Sequence, residues 1–206
     1  MSLTEILSFI LASTILAFTP GPDNIFVIVT SLGNGFKTAF KFILGLATGI
    51  VFHTLLIVIG ISTIVSQSQY GLHILKYFAI AYLLWLAYKT YIHRKEHIQL
   101  SNNKTSHNYY RRGLIMNISN PKVLLFFLAL FPQFAHLDQP GYQLRLIILG
   151  LLFIMVTLLV FSLIAYLSAK GSEKIIKNPK YSLIINWLAI FVFVAVSILL
   201  LSGFGG

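Results

Sequence analysis

The first apolar run of this 206-residue chain, from about residue 6 to 32, is interrupted by Thr19-Pro20-Gly21-Pro22-Asp23-Asn24. Two prolines around a glycine remove backbone donors and forbid a regular helix. In hydrocarbon, a freed carbonyl is costly unless protein or water satisfies it, so such a break is tolerated where it lines a cavity. The polar side chains here predict a solute or ion path, and a purely structural kink is the alternative. The half-helix that starts at Asn24 would direct its amino-terminal dipole at an anion such as a carboxylate.

A matching break, Asn120-Pro121-Lys122, lies near the start of the fourth apolar run. Pro121 leaves an unpaired carbonyl upstream, and Lys122 places a cation just inside the run. A charge within a span is expensive and is usually paired or functional. We therefore predict that Lys122 pairs with Asp23 or meets the carboxylate of a solute. The alternative is that Lys122 snorkels to the cytoplasmic interface.

The composition indicates a membrane protein. Apolar residues make up 57% of the chain and charged residues only 10%, whereas soluble domains carry roughly 25% charged residues. Since a span needs about 20 apolar residues, six runs predict an all-α protein of six transmembrane helices, with the first and fourth broken by proline. The runs cover about 6–32, 42–65, 72–91, 114–134, 146–168 and 181–202. With no cysteine, disulfides, thiol redox chemistry and Cys-ligated metal are excluded, and we expect no metal and no cofactor.

The net charge of +10 is distributed unevenly. The loops after spans one, three and five carry twelve of the 15 Lys and Arg residues. The cation-rich side of a membrane protein is cytoplasmic, so both termini are expected outside. The cations sit between apolar runs, so they indicate orientation in the lipid bilayer and not a nucleic-acid partner.

The two halves of the chain resemble each other, and we predict a single transmembrane domain, 1–206, made of two inverted three-helix repeats. Two unrelated three-helix groups are the alternative. The first repeat covers about 1–92, the cytoplasmic basic loop about 93–112 and the second repeat about 113–206. Each half has a loop glycine and a second glycine about ten residues later, Gly35 and Gly45 in one and Gly141 and Gly150 in the other.

Titratable residues within the spans are few. Asp23 is the one carboxylate well inside a span, so it is the leading candidate for a proton site. His53, in the second span, suits a proton relay because its unperturbed pKa is about 6.5; the alternative is a hydrogen bond to a neighbouring helix. Gly45 and Gly49 form a small-xxx-small pair that predicts close helix packing.

Together these motifs resemble the signatures of the LysE/RhtB family of amino-acid exporters. The first signature is residues 19–24 followed by Gly35, and the fourth-span signature is residues 120–122 with Leu124-Leu125-Phe126-Phe127 and Phe131-Pro132-Gln133-Phe134. The segment Ala81-Tyr82-Leu83-Leu84-Trp85-Leu86 is similar to the third span of that family. Ala79 and Ala87 stand where the family often has glycine, which puts the closeness of third-span packing in doubt.

The resemblance implies a six-helix exporter of amino acids or their derivatives in the bacterial inner membrane, driven by the proton gradient, and not an enzyme. No nucleotide-binding G-x-x-x-x-G-K-[ST] loop occurs, which is consistent with secondary transport. A cation or metal-ion transporter of the same broad fold is the alternative. The expected partners are a small amino-acid-like solute, a coupling proton and the lipid bilayer, and the sequence leaves open whether the chain forms a homodimer.

Overall fold

The computed structural model describes residues 1–19, 21–67, 71–92, 94, 108–137, 139–170 and 179–201. Within these ranges the chain forms seven α-helices and no strand, which confirms the all-α prediction. The helices are α1 (Leu3–Phe18), α2 (Pro22–Gln67), α3 (Gly71–Ile92), α4 (Tyr109–Ile118), α5 (Pro121–Ala135), α6 (Tyr142–Ala169) and α7 (Pro179–Leu201).

Both proline-containing runs are divided between two helices, as the sequence predicts. The first run is split between α1 and the start of α2, and the fourth between α4 and α5. The segments Tyr109–Ile118 and Lys122–Ala135 meet at an angle of 55°. Among the described residues, Pro22–Gly60 and Tyr142–Ala169 are each long and apolar enough to cross a membrane, and the bent pair makes a third such span if counted as one. The count of six spans therefore stays a prediction.

Local capping explains where the helices begin. The Ser2 hydroxyl accepts from the Glu5 amide at 3.2 Å, and the Glu5 carboxylate accepts from the Ser2 amide at 2.7 Å, a capping box for α1. The Asn108 side chain accepts from the Arg111 amide at 2.9 Å. Because Asn108 caps α4, residues 109–112 form its first turn, although the sequence predicts that they belong to the basic loop. Most of the remaining loop lies outside the described residues.

Two glycines mark the points where the chain turns into its long helices. Gly35 interrupts α2 with φ 77° and ψ 168°, and Gly141 precedes α6 with φ 80°. Side chains other than glycine rarely adopt a positive φ. These are the loop glycines that the sequence matches between the two halves. Both have a positive φ, but Gly35 has an extended ψ of 168° and Gly141 lies in the αL region with ψ 15°.

The segment of α2 after Gly35 packs against α4 at backbone contact. A Cβ added to Gly45 would lie 2.0 Å from the Tyr110 carbonyl oxygen, and one added to Gly113 would lie 2.1 Å from the Phe42 carbonyl oxygen. A Cβ on Gly49 would lie 2.5 Å from the Asn117 side chain. The close packing predicted from Gly45 and Gly49 is confirmed, and it joins the two halves of the chain.

A buried aromatic cluster lies beside the second break. The rings of Phe127 and Phe131 stack with centroids 4.0 Å apart, and Phe9 and Phe153 pack against the same group. All four are at most 3% exposed. This cluster fixes α5 against α1 and α6, and so holds the start of α5 in place.

Candidate functional site

The end of α1 forms one side of the site. Pro20 and Pro22 have no N–H, so the carbonyls of Leu16 and Phe18, four residues earlier, lack their usual helical donors. The Asn24 side chain donates to the Ala17 carbonyl at 2.7 Å and holds the start of α2 against the end of α1. Pro20 itself lies outside the described residues.

Thr19 and Gly21, also predicted for the site, complete this side. The Thr19 hydroxyl donates to the Ile15 carbonyl at 2.8 Å, and the Thr19 backbone N–H lies 3.2 Å from the Leu16 carbonyl oxygen. Thr19 is 3% exposed. A Cβ on Gly21 would lie 3.1 Å from Lys122 Nζ, so the absence of a side chain at Gly21 leaves room for the ammonium.

Lys122 reaches across from the second half of the chain to the end of α1. Its Nζ lies 3.1 Å from the Thr19 carbonyl oxygen and 3.4 Å from the Leu16 carbonyl oxygen. A cation at a helix carboxy-terminus also interacts favourably with the helix dipole. Among the contacts of the described residues, no ion pair joins this ammonium directly to Asp23.

Asp23 is nevertheless part of the same cluster. The Asn120 amide donates to Asp23 Oδ2 at 2.7 Å, and Asn120 Oδ1 accepts from the Lys122 backbone N–H at 3.0 Å. Asp23 is 2% exposed, and its other oxygen, Oδ1, has no hydrogen-bond partner. The Asn24 Oδ1 atom is likewise buried without a partner. These two unpaired oxygens, one of them on a carboxylate, give the cluster acceptors for a proton or for a donor group of a solute.

The second break is completed by His53. Pro121, at the first position of α5, cannot supply an N–H to the Asn117 carbonyl four residues before it. The Asn120 backbone N–H and His53 Nε2 lie 3.0 Å and 3.1 Å from that oxygen. Because a carbonyl only accepts, Nε2 carries the hydrogen and, in the neutral ring, Nδ1 is bare. The Nδ1 atom is buried and has no partner.

The structure thus brings together nearly all of the predicted residues. Thr19, Gly21, Pro22, Asp23, Asn24, Asn120, Pro121 and Lys122 meet at the two breaks, and His53 reaches them through Asn117. Asn117 was not singled out from the sequence. Its position four residues before Pro121 is the signal that could have identified it, because that spacing marks a carbonyl without a helical donor.

The motifs and the geometry agree with a comparison against known families, in which residues 14–203 match the LysE type translocator family. This chain belongs to that family. The LysE-type chain is 32% identical to the homoserine/homoserine lactone efflux protein of Salmonella typhi over 202 residues, 95% of each chain. No solved structure matches it.

Two further relatives cover most of the chain. An uncharacterized membrane protein of Bacillus subtilis is 29% identical over 98% of this chain and 96% of its own length. The leucine efflux protein of an Enterobacter species is 23% identical over 91% of this chain and 90% of its own. The family match over residues 14–203 therefore includes both helix breaks.

Proposed function

We propose that this protein exports amino acids or small amino-acid derivatives across the bacterial inner membrane by secondary active transport, with protons as the coupling ion. The observation that carries the proposal is the cluster of buried Asp23 and Asn120 with partly buried Lys122 at the meeting of two broken helices. Buried charges at helix breaks are typical of solute and ion sites in secondary transporters. The efflux functions of two relatives, for homoserine or its lactone and for leucine, support the solute class.

We further propose six spans in two inverted repeats, with both termini outside. At about 1.5 Å per residue, the 16 residues of α1 reach about 24 Å and the 10 residues of α4 about 15 Å. If α1 enters from outside and α4 from the cytoplasm, the two lengths together nearly cover the roughly 40–45 Å of a bilayer with its headgroup regions, so the two breaks fall at a similar depth. The matched glycines Gly35 and Gly141 support the repeat.

Asp23 is the leading proton site in this scheme. One of its oxygens is held by Asn120, while the other is buried and unpaired. We propose that protonation of Asp23 and binding of the solute's ammonium group compete for this carboxylate, which gives antiport. His53 is the second candidate, since its Nδ1 is free to accept a proton.

The function is tested with the purified protein in liposomes. Vesicles loaded with a panel of labelled solutes, including homoserine, homoserine lactone, leucine and lysine, are expected to lose at least one of them faster than protein-free vesicles. A wild-type protein that accelerates the efflux of none of a full amino-acid panel would contradict the proposal.

The topology has its own test, because the chain contains no native cysteine. Single cysteines at Gln69, Thr105 and Ser172, three positions outside the described residues, report the side of each loop. An impermeant thiol reagent applied to intact cells is expected to label only the Gln69 position. Labelling at Thr105 would overturn the proposed orientation.

A further inference from the structure

We propose that the carbonyl end of α1 is a site for a small monovalent cation and that the Lys122 ammonium fills it as a tethered cation. Its consequence for transport, that export needs no Na⁺, rests on the proposed function. The site itself rests only on the contacts of Lys122 with Leu16 and Thr19.

The first support is the nature of the ligands. Both oxygens that Lys122 contacts are main-chain carbonyls at the carboxy-terminal end of a helix that stops inside an apolar run. Unwound carbonyls and half-helix carboxy-termini are the groups that coordinate free cations in broken-helix transporters. Here Pro20 cannot supply the helical N–H to the carbonyl of Leu16, which accepts instead from the Thr19 N–H at 3.2 Å and keeps a second lone pair for a cation.

The second support is the surrounding surface, which is rich in acceptors. A position above Gly21 lies 3.1 Å from Lys122 Nζ and 3.9 Å from Asn24 Oδ1, so the ammonium and this unpaired oxygen border the same space. The Asp23 carboxylate, which also has an unpaired oxygen, belongs to the same cluster. Unpaired buried oxygens favour a positive charge and disfavour an anion.

Occupation by a side chain has a direct mechanistic consequence. The ammonium is covalently part of the chain, so it occupies the end of α1 without having to bind from solution. A free Na⁺ would have to compete with the ammonium for this site. Lys122 must also release the carbonyls of Leu16 and Thr19 before it can meet a solute carboxylate. Lys122 therefore completes the break, while Asp23 remains the group that is free to bind a proton or a solute.

The test measures thermal unfolding of the purified full-length protein in detergent, with methylammonium chloride compared with choline chloride at equal ionic strength. Lys122→Ala removes the ammonium and leaves room for a small cation, whereas Lys122→Met fills the same space. Lys170→Ala is the matched control, because the Lys170 ammonium lies over the Tyr166 ring, 4.5 Å from its centroid, at the end of α6.

Lys122→Ala is expected to lower the unfolding midpoint by roughly 5 °C, and methylammonium is expected to restore most of this shift. For wild type, Lys122→Met and Lys170→Ala, the unfolding midpoint should be the same in methylammonium chloride as in choline chloride. The cation site would be overturned if the two salts gave Lys122→Ala the same unfolding midpoint. It would also be overturned if methylammonium raised the midpoint of wild type as much as that of Lys122→Ala.

A second measurement keeps the proposal testable if Lys122→Ala does not fold. The wild-type midpoint, and any export that the liposome assay detects, should be unchanged when choline replaces Na⁺, and a requirement for Na⁺ would overturn the proposal. The two proposals fail separately, because rescue by methylammonium without any export would retain the cation site and contradict the transport function.

Discussion

At each helix break a proline removes the N–H that a carbonyl four residues earlier would accept, and the two breaks supply different side-chain donors to that carbonyl. At the first, the carbonyl of Leu16 faces the ammonium of Lys122, a charged group on a flexible side chain. At the second, the carbonyl of Asn117 faces the imidazole of His53, a rigid ring that can donate this hydrogen bond in its neutral form. The first break therefore concentrates charge, with Asp23 beside it, and the second is held by a neutral hydrogen bond.

Each donor also comes from the opposite half of the chain. Lys122 belongs to the second half and completes the break in the first, while His53 belongs to the first half and completes the break in the second. The carbonyls of Leu16 and Asn117 each accept one hydrogen bond from a backbone N–H of their own half and a second contact from the other half. The second contact joins the two breaks, so the complete site forms only when the two halves pack together.

The largest effect is expected from separating the halves. Gly45→Ala or Gly113→Ala places a Cβ within 2.0 or 2.1 Å of a backbone oxygen on the facing helix, which α2 and α4 relieve only by moving apart. Both variants should lose the folded, monodisperse protein in size-exclusion chromatography of detergent extracts. Gly33→Ala is the control, since its Cβ would meet nothing within 4 Å. Normal yields of both crossing variants would show that this contact does not hold the halves together.

The next largest effect is expected at the charged break. Asp23→Asn and Lys122→Met should each reduce gradient-driven export on the order of 100-fold. Asp23→Asn removes the carboxylate that binds a proton or the solute, and Lys122→Met removes the cation at the end of α1. Both should still insert and migrate as folded protein. Export at the wild-type rate in both variants would remove these residues from the transport path. Lys170→Ala, which changes a cation outside the cluster, should retain wild-type export.

A smaller effect is expected at the neutral break, and it distinguishes two roles for His53. If the ring acts only as a donor to Asn117, His53→Gln, whose amide can reach the same oxygen, should retain proton-coupled export. His53→Leu, which has no donor, should lose about tenfold in rate. If His53 relays protons, both variants lose coupling equally. The measurement is the pH dependence of export by the two variants in liposomes.

The smallest effect is expected at the two glycines that precede the long helices. Gly35→Ala and Gly141→Ala each force a side chain into positive φ. Gly141 lies in the αL region, where a side chain costs about 1–2 kcal/mol, so Gly141→Ala should lower the unfolding midpoint by roughly 2–4 °C. Gly35, with ψ 168°, lies in a region that is essentially restricted to glycine, so Gly35→Ala should lower the midpoint more. Gly33→Ala, within a helix, should raise it slightly. An effect at Gly35 no larger than that at Gly141 would contradict this difference.

Much of the site could be predicted because proline acts through covalent structure. The missing N–H groups of Pro22 and Pro121 identify both breaks without any knowledge of packing, and the charges beside them identify Asp23 and Lys122. The glycines Gly45 and Gly49 likewise predict a close crossing. Such features can be predicted from sequence because the residues that cause them lie within a few positions of one another.

The partners across the site could not be predicted in the same way. Whether the Lys122 ammonium reaches Asp23, a solute or the end of α1 depends on how two distant segments pack. The direct contact with α1 carbonyls follows from that geometry alone. The contact of His53 with Asn117 joins positions 64 residues apart. Helix periodicity indicates which residues face inward, but it does not indicate which helix they meet.

The most direct test of the central claim, that the carboxylate at the first break couples solute export to protons, is efflux from loaded liposomes with an imposed proton gradient. Wild-type efflux should accelerate when protons can run into the compartment that holds the solute, and an ionophore that dissipates the gradient should abolish the acceleration. Asp23→Asn should still exchange solute at equal pH but should not respond to the gradient. A wild-type efflux rate that is the same with and without the gradient, or an Asp23→Asn variant that responds as wild type does, would contradict the claim.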